Sequence, residues 1–230
     1  MTRPEAKPLA DELARLGAEV TVVPLIEIRP PEDRRALQES RERLSEYDWI
    51  VFTSVNGVAA VGEALGAIGA DTRVAAVGPV TAASVQALGI EPSFVASRAS
   101  EDIAGGLGDL AGARVLLAQA DIADPRLADE LRDRGAEVDV VIAYRTVLVE
   151  PPLWGILPLR LADAVVLASG SAVRSLAAAG GAGDSAVLVC IGPKTAAVAR
   201  EVGLRVGLVA DETTSDGIIR ALVEHFGERA

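Results

Sequence analysis

Short runs rich in Val, Ile and Leu alternate along the chain with Ala-rich stretches of mixed polarity. Uninterrupted apolar runs of this kind suit parallel strands buried on both faces, and the stretches between them suit covering helices. In the second half the pattern predicts strands over 114–118, 137–142, 164–168, 186–191 and 205–209. Helices are predicted over 124–134, 171–179, 193–202 and 214–226. Pro193 falls in a first turn, where its missing N–H costs nothing, and Thr214 or Ser215 supplies an N-cap. Strand–helix alternation of this kind is an α/β, doubly wound parallel-sheet layout.

The pattern repeats. Asp48-Trp-Ile-Val-Phe-Thr-Ser-Val-Asn-Gly-Val58 resembles Asp163-Ala-Val-Val-Leu-Ala-Ser-Gly-Ser-Ala-Val173 at an offset of 115. Val77-Gly-Pro-Val-Thr-Ala-Ala83 matches Ile191-Gly-Pro-Lys-Thr-Ala-Ala197 at 114. Ala10-Asp-Glu-Leu with Gly17-Ala-Glu-Val20 matches Ala128-Asp-Glu-Leu with Gly135-Ala-Glu-Val138 at 118. Three blocks in one order at a nearly constant offset point to an internal duplication. Two related lobes are expected to face each other across a cleft that binds a small molecule. Pro-rich, charged segments at 27–33 and 145–152 follow the matching second strand of each unit and read as linkers. The counterpart of strand 114–118 would precede Met1, so the first unit is expected to lack its first strand, as a wrongly assigned start would produce.

Half of the residues are apolar and 3% are aromatic, so the core is expected to be Ala, Val, Leu and Ile. Twenty-two basic residues against 33 acidic ones give a net charge of −11. That balance argues against nucleic-acid and membrane-surface partners, both of which are anionic. Cys190 is the single cysteine and lies in the apolar run 186–191, which fits a small core hydrophobe in a reducing compartment. One Cys and one His, His225, cannot build a His/Cys metal site. The stretch Met1-Thr-Arg-Pro-Glu5 is not apolar, so no signal segment is expected, and the longest uncharged stretch, 74–90, is broken by Gly78-Pro79. A cytoplasmic monomer is expected.

Four loops at strand ends share one chemical character: Thr53-Ser54-Val55-Asn56-Gly57, Gly78-Pro79-Val80-Thr81, Ser169-Gly170-Ser171 and Gly192-Pro193-Lys194-Thr195. Segments 97–100, ending in Ser100, and 213–215, containing Thr214, add a related pair. Ligands of open α/β sheets bind beyond the carboxyl ends of the strands. Helix N-termini there present free N–H groups that attract anions. The same Ser, Thr and Asn residues also serve as plain helix caps. No P-loop, G-x-G-x-x-G or G-x-S-x-G motif occurs. Tyr144, at the end of strand 138–143, is the candidate phenol, and packing is its alternative role.

These residues together resemble the uroporphyrinogen-III synthase family. The matching pattern is Thr2-Arg-Pro-Glu5, Gly17-Ala-Glu-Val20, Pro24-Leu-Ile26, Phe52-Thr-Ser-Val-Asn-Gly-Val58, Val77-Gly-Pro with Thr81, Tyr144, Ser169-Gly-Ser171 and Ile191-Gly-Pro-Lys-Thr195. The resemblance implies two flavodoxin-like lobes with two chain crossings: residues 1–28 with 150–230, and residues 33–144. It implies a lyase that closes hydroxymethylbilane to uroporphyrinogen III with inversion of the last pyrrole ring, using no metal or cofactor. It implies Tyr144 as proton donor and Thr81 and Thr195 as cleft threonines. Ser54, Asn56, Ser169 and Ser171 would be carboxylate-contacting groups. The competing reading is a non-catalytic two-lobed module of the same fold that binds small anions or regulates.

Overall fold

The computed structural model describes residues 6–96, 101–151 and 153–227. The first half runs α1 (Ala6–Arg15), β1 (Ile26–Arg29), α2 (Arg35–Glu42), β2 (Trp49–Phe52), α3 (Val55–Val61), β3 (Arg73–Val77), α4 (Pro79–Gln86), β4 (Phe94–Ala96) and α5 (Glu101–Gly106). The second half runs β5 (Arg114–Ala120), α6 (Arg126–Asp133), β6 (Glu137–Leu148), α7 (Leu153–Leu161), β7 (Ala164–Leu167), α8 (Gly170–Ala178), β8 (Val187–Cys190), α9 (Pro193–Glu201), β9 (Val206–Val209) and α10 (Ser215–Gly227). The fold is α/β, with parallel pairing of β2 with β3 and β5, of β3 with β4, of β5 with β6, and of β8 with β7 and β9. Among the described residues no helix is long and apolar enough to cross a membrane.

The chain divides into two compact units, Met1–Glu27 with Val147–Ala230, and Ile28–Thr146. In the second of these the strand order is β1-β6-β5-β2-β3-β4. Every residue of β2 is buried, because β3 and β5 flank it and helices cover both of its faces. On one face Trp49, Val51, Val115 and Leu117 pack with Ile103, Leu127 and Leu131 of α5 and α6. On the other, Ile50, Phe52, Leu116 and Ala118 pack with Val58, Val61 and Val85 of α3 and α4. The chain thus leaves β5 through α6 on one face and β2 through α3 on the other. That reversal makes the carboxyl ends of β2 and β5 the switch point of the sheet, where open α/β sheets bind ligands.

The discontinuous unit has the order β7-β8-β9. Val165, Leu167, Leu188 and Cys190 pack on Val173, Leu176 and Ala199 of α8 and α9. Val189 lies on the opposite side with Leu9, Ile218 and Leu222 of α1 and α10. Burial pushes the Cys190 thiol up, as suits a core side chain.

Three details differ from the sequence expectations. The strand expected to end at Ala143 continues to Leu148, and β1 and β6, neighbours in the sheet, run into both segments expected as linkers. The unit boundaries fall inside these two strands. Residues 18–25, which match the start of β6 in sequence, form no strand. A strand needs a neighbour to satisfy its backbone. β6 has β5, whereas Val20 and Val22 lie 37% and 39% exposed. Helix α7 follows the segment expected as the second linker, in a stretch for which no helix is expected, and Pro158 is accommodated inside it.

Candidate active site

The loop after β2 and the strand β6 bring two hydroxyls together. Ser54 Oγ and Tyr144 Oη lie 2.9 Å apart, and either can donate. Ser54 also caps α3, accepting the Gly57 N–H at 3.2 Å with extended backbone at the cap. Gly57 is forced by close packing: a Cβ there would stand 2.8 Å from the Ala118 carbonyl oxygen of β5.

A register shift aims Tyr144. Gln119 pairs with Ile142 and Ala120 with Tyr144, so Ala143 is the extra residue opposite β5. An inserted residue breaks the alternation of side chains across the strand. Tyr144 therefore packs on the cluster holding Val141 and Ala143, where α3 lies, while Ile142 stays exposed. Thr53, half-buried, and Gln119, buried, complete the carboxyl ends of β2 and β5. Asn56, in the first turn of α3, lines a cavity of about 460 Å³ together with Tyr144.

The discontinuous unit repeats this geometry without the tyrosine. Ser169 caps α8 by accepting the Ala172 N–H at 3.2 Å. Its φ and ψ of −161° and 155° match the −161° and 156° of Ser54. Gly170 opens α8, and Ser171 is buried beside it. The Gly-Pro loops also correspond. Gly78 precedes Pro79 at the start of α4, and Gly192 precedes Pro193 at the start of α9. Ala82 N–H donates to the Gly78 carbonyl and Ala196 N–H to the Gly192 carbonyl, both at 3.1 Å. Thr81 and Thr195, one turn in, are 5% and 7% exposed. Gly78 needs its φ of +78°, which a side chain disfavours. Gly192 is extended, and a Cβ there would come within 2.8 Å of Thr213 Oγ1.

Lys194 stands exposed in the first turn of α9. Thr214 caps α10, accepting the Gly217 N–H at 3.1 Å. Ser100 lies outside the described residues. Tyr47 is taken up structurally: it is buried, donates to Asp139 Oδ2 at 2.7 Å, and desolvation with the adjacent carboxylate raises its phenol. Sequence reading missed Arg29, Arg34 and Arg41, which share the cavity with Asn56 and Tyr144. Their signal was the spacing of Arg34, Gln38 and Arg41, which places three polar side chains on one helix face.

Comparison with known proteins gives these loops a family. The chain is 30% identical to a porphyrin biosynthesis protein HemD of Ruminiclostridium josui over 99% of its length, and it spans about half of that relative (48%). It is 29% identical to a uroporphyrinogen-III synthase of Synechococcus elongatus over 95% of its length, covering 90% of that relative. Among solved structures, a mutant uroporphyrinogen III synthase of Thermus thermophilus superposes with a TM-score of 0.66 at 22% identity, covering 99% of this chain and 96% of that one. A uroporphyrinogen-III synthetase of Helicobacter pylori gives a TM-score of 0.64 at 17% identity, covering 87% and 91%. The family model of uroporphyrinogen-III synthase HemD matches residues 7–220, and the chain belongs to that family.

Proposed function

We propose that the chain closes the linear tetrapyrrole hydroxymethylbilane to uroporphyrinogen III, with Tyr144 as proton donor. Family membership supports the reaction class. The observation that carries the residue assignment is the Ser54–Tyr144 hydroxyl pair beside the switch point of the sheet. Ser54 already accepts the Gly57 N–H. When it donates its own proton to Tyr144 Oη, the phenolic proton is left free for the substrate. Tyr144 then protonates the terminal hydroxyl, the C–O bond breaks with the electron pair of the pyrrole nitrogen behind it, and water leaves. The resulting azafulvene is attacked by the substituted carbon of the far ring. The spiro intermediate fragments, recloses with that ring turned over, and loses a proton.

The protein's remaining work is positioning and exclusion of water. The caps Ser54 and Ser169, the first turns holding Asn56 and Ser171, and Thr81 and Thr195 offer N–H and hydroxyl groups to acetate and propionate carboxylates. Their matched geometry in both units supports descent of the two from one flavodoxin-like ancestor by duplication.

The test is incubation with hydroxymethylbilane and chromatographic resolution of the isomers. Isomer III above the spontaneous isomer I is the expected result. Isomer I alone, with the protein folded, would favour the non-catalytic module of the same fold.

A further inference from the structure

The cavity beside Tyr144 is cationic in a chain that carries a net charge of −11. Its polar lining is Arg29, Arg34, Gln38, Arg41, Asn56 and Tyr144, and among the described residues no carboxylate lines it. The neighbouring arginines that do not line it are neutralised. Arg35 pairs with Asp33 at 2.6 Å, Arg43 with Glu46 at 2.9 Å, and Arg145 with Glu32. The side chains of Arg34 and Arg41 have no ion-pair partner among the described residues. Arg41 Nε is buried with no hydrogen-bond acceptor among the described residues. A buried N–H left unmade is costly and calls for an explanation such as a ligand that completes it.

Helix α2 builds this arrangement deliberately. Arg34 sits at its N-cap, and Gln38 and Arg41 follow at i+4 and i+7 on the same face. Leu37 anchors the helix on the core cluster of α3 and β2. The arginines are thus held by a packed helix whose rotation is fixed. At about 460 Å³ the cavity falls among small-molecule sites, which run roughly 300–1,000 Å³. It is too large to be matched to a bare inorganic anion.

We propose that this cavity is a ring-binding subsite. It takes one pyrrole of the substrate, with Arg34 and Arg41 each engaging a peripheral carboxylate through its planar guanidinium fork. The proposal rests on the reading of the substrate given above. It places a cationic clamp in the same cavity as Tyr144, so that binding one ring orients the substrate toward the phenol.

The experiment compares wild type with R34Q, R41Q, R41K and, as a control of equal charge change in the other unit, R15Q. Two readouts are taken: steady-state formation of isomer III, and anaerobic titration with uroporphyrinogen III. Loss of one charge-assisted hydrogen bond is expected to raise KM and the titrated Kd about tenfold in R34Q and R41Q, leave kcat within about twofold, and be partly restored in R41K. R15Q should match wild type. Unchanged KM and Kd in R34Q and R41Q, or a loss equal in R15Q, overturns the subsite. A wild type that makes no isomer III sinks the activity but not the subsite. Titration then decides: the tenfold loss keeps the subsite, and equal binding or no binding to wild type ends it. Melting temperatures of all variants identify any that are misfolded, and R41K then carries the comparison.

Discussion

Ser54 Oγ stands 2.9 Å from Tyr144 Oη while also accepting the Gly57 N–H, so one hydroxyl both caps α3 and partners the phenol of β6. Ser169 performs the first of these roles and not the second: it caps α8 through the Ala172 N–H. The two serines therefore separate a structural effect from a chemical one. Ser54→Ala and Ser169→Ala should each cost ~1 kcal/mol of stability as lost caps. Under the proposed reaction Ser54→Ala should in addition slow turnover beyond what Ser169→Ala does. Thermal unfolding alongside isomer III assays checks this, and equal turnover in both variants would detach Ser54 from Tyr144.

Tyr144→Phe should lower the rate of isomer III formation without abolishing it. General acid assistance is typically worth about 10²–10⁴-fold. The leaving hydroxyl is also expelled by the pyrrole nitrogen, and a bound water can replace part of the phenol's help. The phenyl ring keeps its packing on Val141 and Ala143, so the variant should fold. Unchanged turnover would remove Tyr144 from the chemistry and leave a site that works through conformational control.

Gly57→Ala tests how tightly the switch point is built. The added Cβ would stand 2.8 Å from a backbone oxygen of β5, which has no rotamer to yield. Overpacking of this kind costs about 1–3 kcal/mol. Chemical denaturation should show that loss, and a variant as stable as wild type would mean that α3 can shift away from β5 freely.

Several of these features were legible in the sequence and several were not, for identifiable reasons. Strands such as β5 and β8 are apolar runs bounded by Gly, Pro or charge, and they appear where the pattern puts them. The serine caps and Gly-Pro helix starts carry their chemistry in local sequence, so loops 53–57 and 169–171 could be singled out directly. The aim of Tyr144 could not, because it depends on an extra residue in β6 relative to β5. Helix α7 was hidden by Pro158, which removes one backbone bond and yet is tolerated. The arginine cavity was hidden because net charge is a sum, whereas the pairing of Arg35 and Arg43 and the exposure of Arg34 to the cavity are local.

Glu46, paired with Arg43 and with Arg114 at the start of β5, gives the stability of its unit a pH dependence. Its carboxylate accepts from Arg43 and Arg114, and these hydrogen bonds lower its pKa from 4.5 to about 2. A carboxyl whose folded value is depressed contributes stability that is fully present above its unfolded value and is lost as pH falls through the folded one. The contribution of Glu46 should therefore be intact above about pH 4.5 and fade toward about pH 2. Glu46→Gln should be less stable than wild type near neutrality, with the difference shrinking across that window. Both partners are largely exposed, so the gap should be small and should narrow with added salt. A gap that widens on acidification would assign the stability to another group.

Thr81 and Thr195 offer the sharpest comparison between the two units. Each lies in the first turn of a helix begun by Gly-Pro, and each is nearly buried, at 5% and 7% exposure. If these hydroxyls hold substrate carboxylates, removing either should weaken binding by ~1 kcal/mol, about fivefold, with little change in kcat. Thr→Ser at the same positions keeps the hydroxyl and loses only a methyl, so it should bind close to wild type. Thr→Val keeps the shape and loses the hydroxyl, so it should resemble Thr→Ala in binding while keeping the packing. If each hydroxyl holds a carboxylate of its own, the effects should add in the double variant. Titration of the six single variants and of Thr81→Ala/Thr195→Ala with uroporphyrinogen III measures this. If Thr→Val binds as wild type does at both positions while Thr→Ala does not, the methyl rather than the hydroxyl matters, and the threonines are packing residues of their helices.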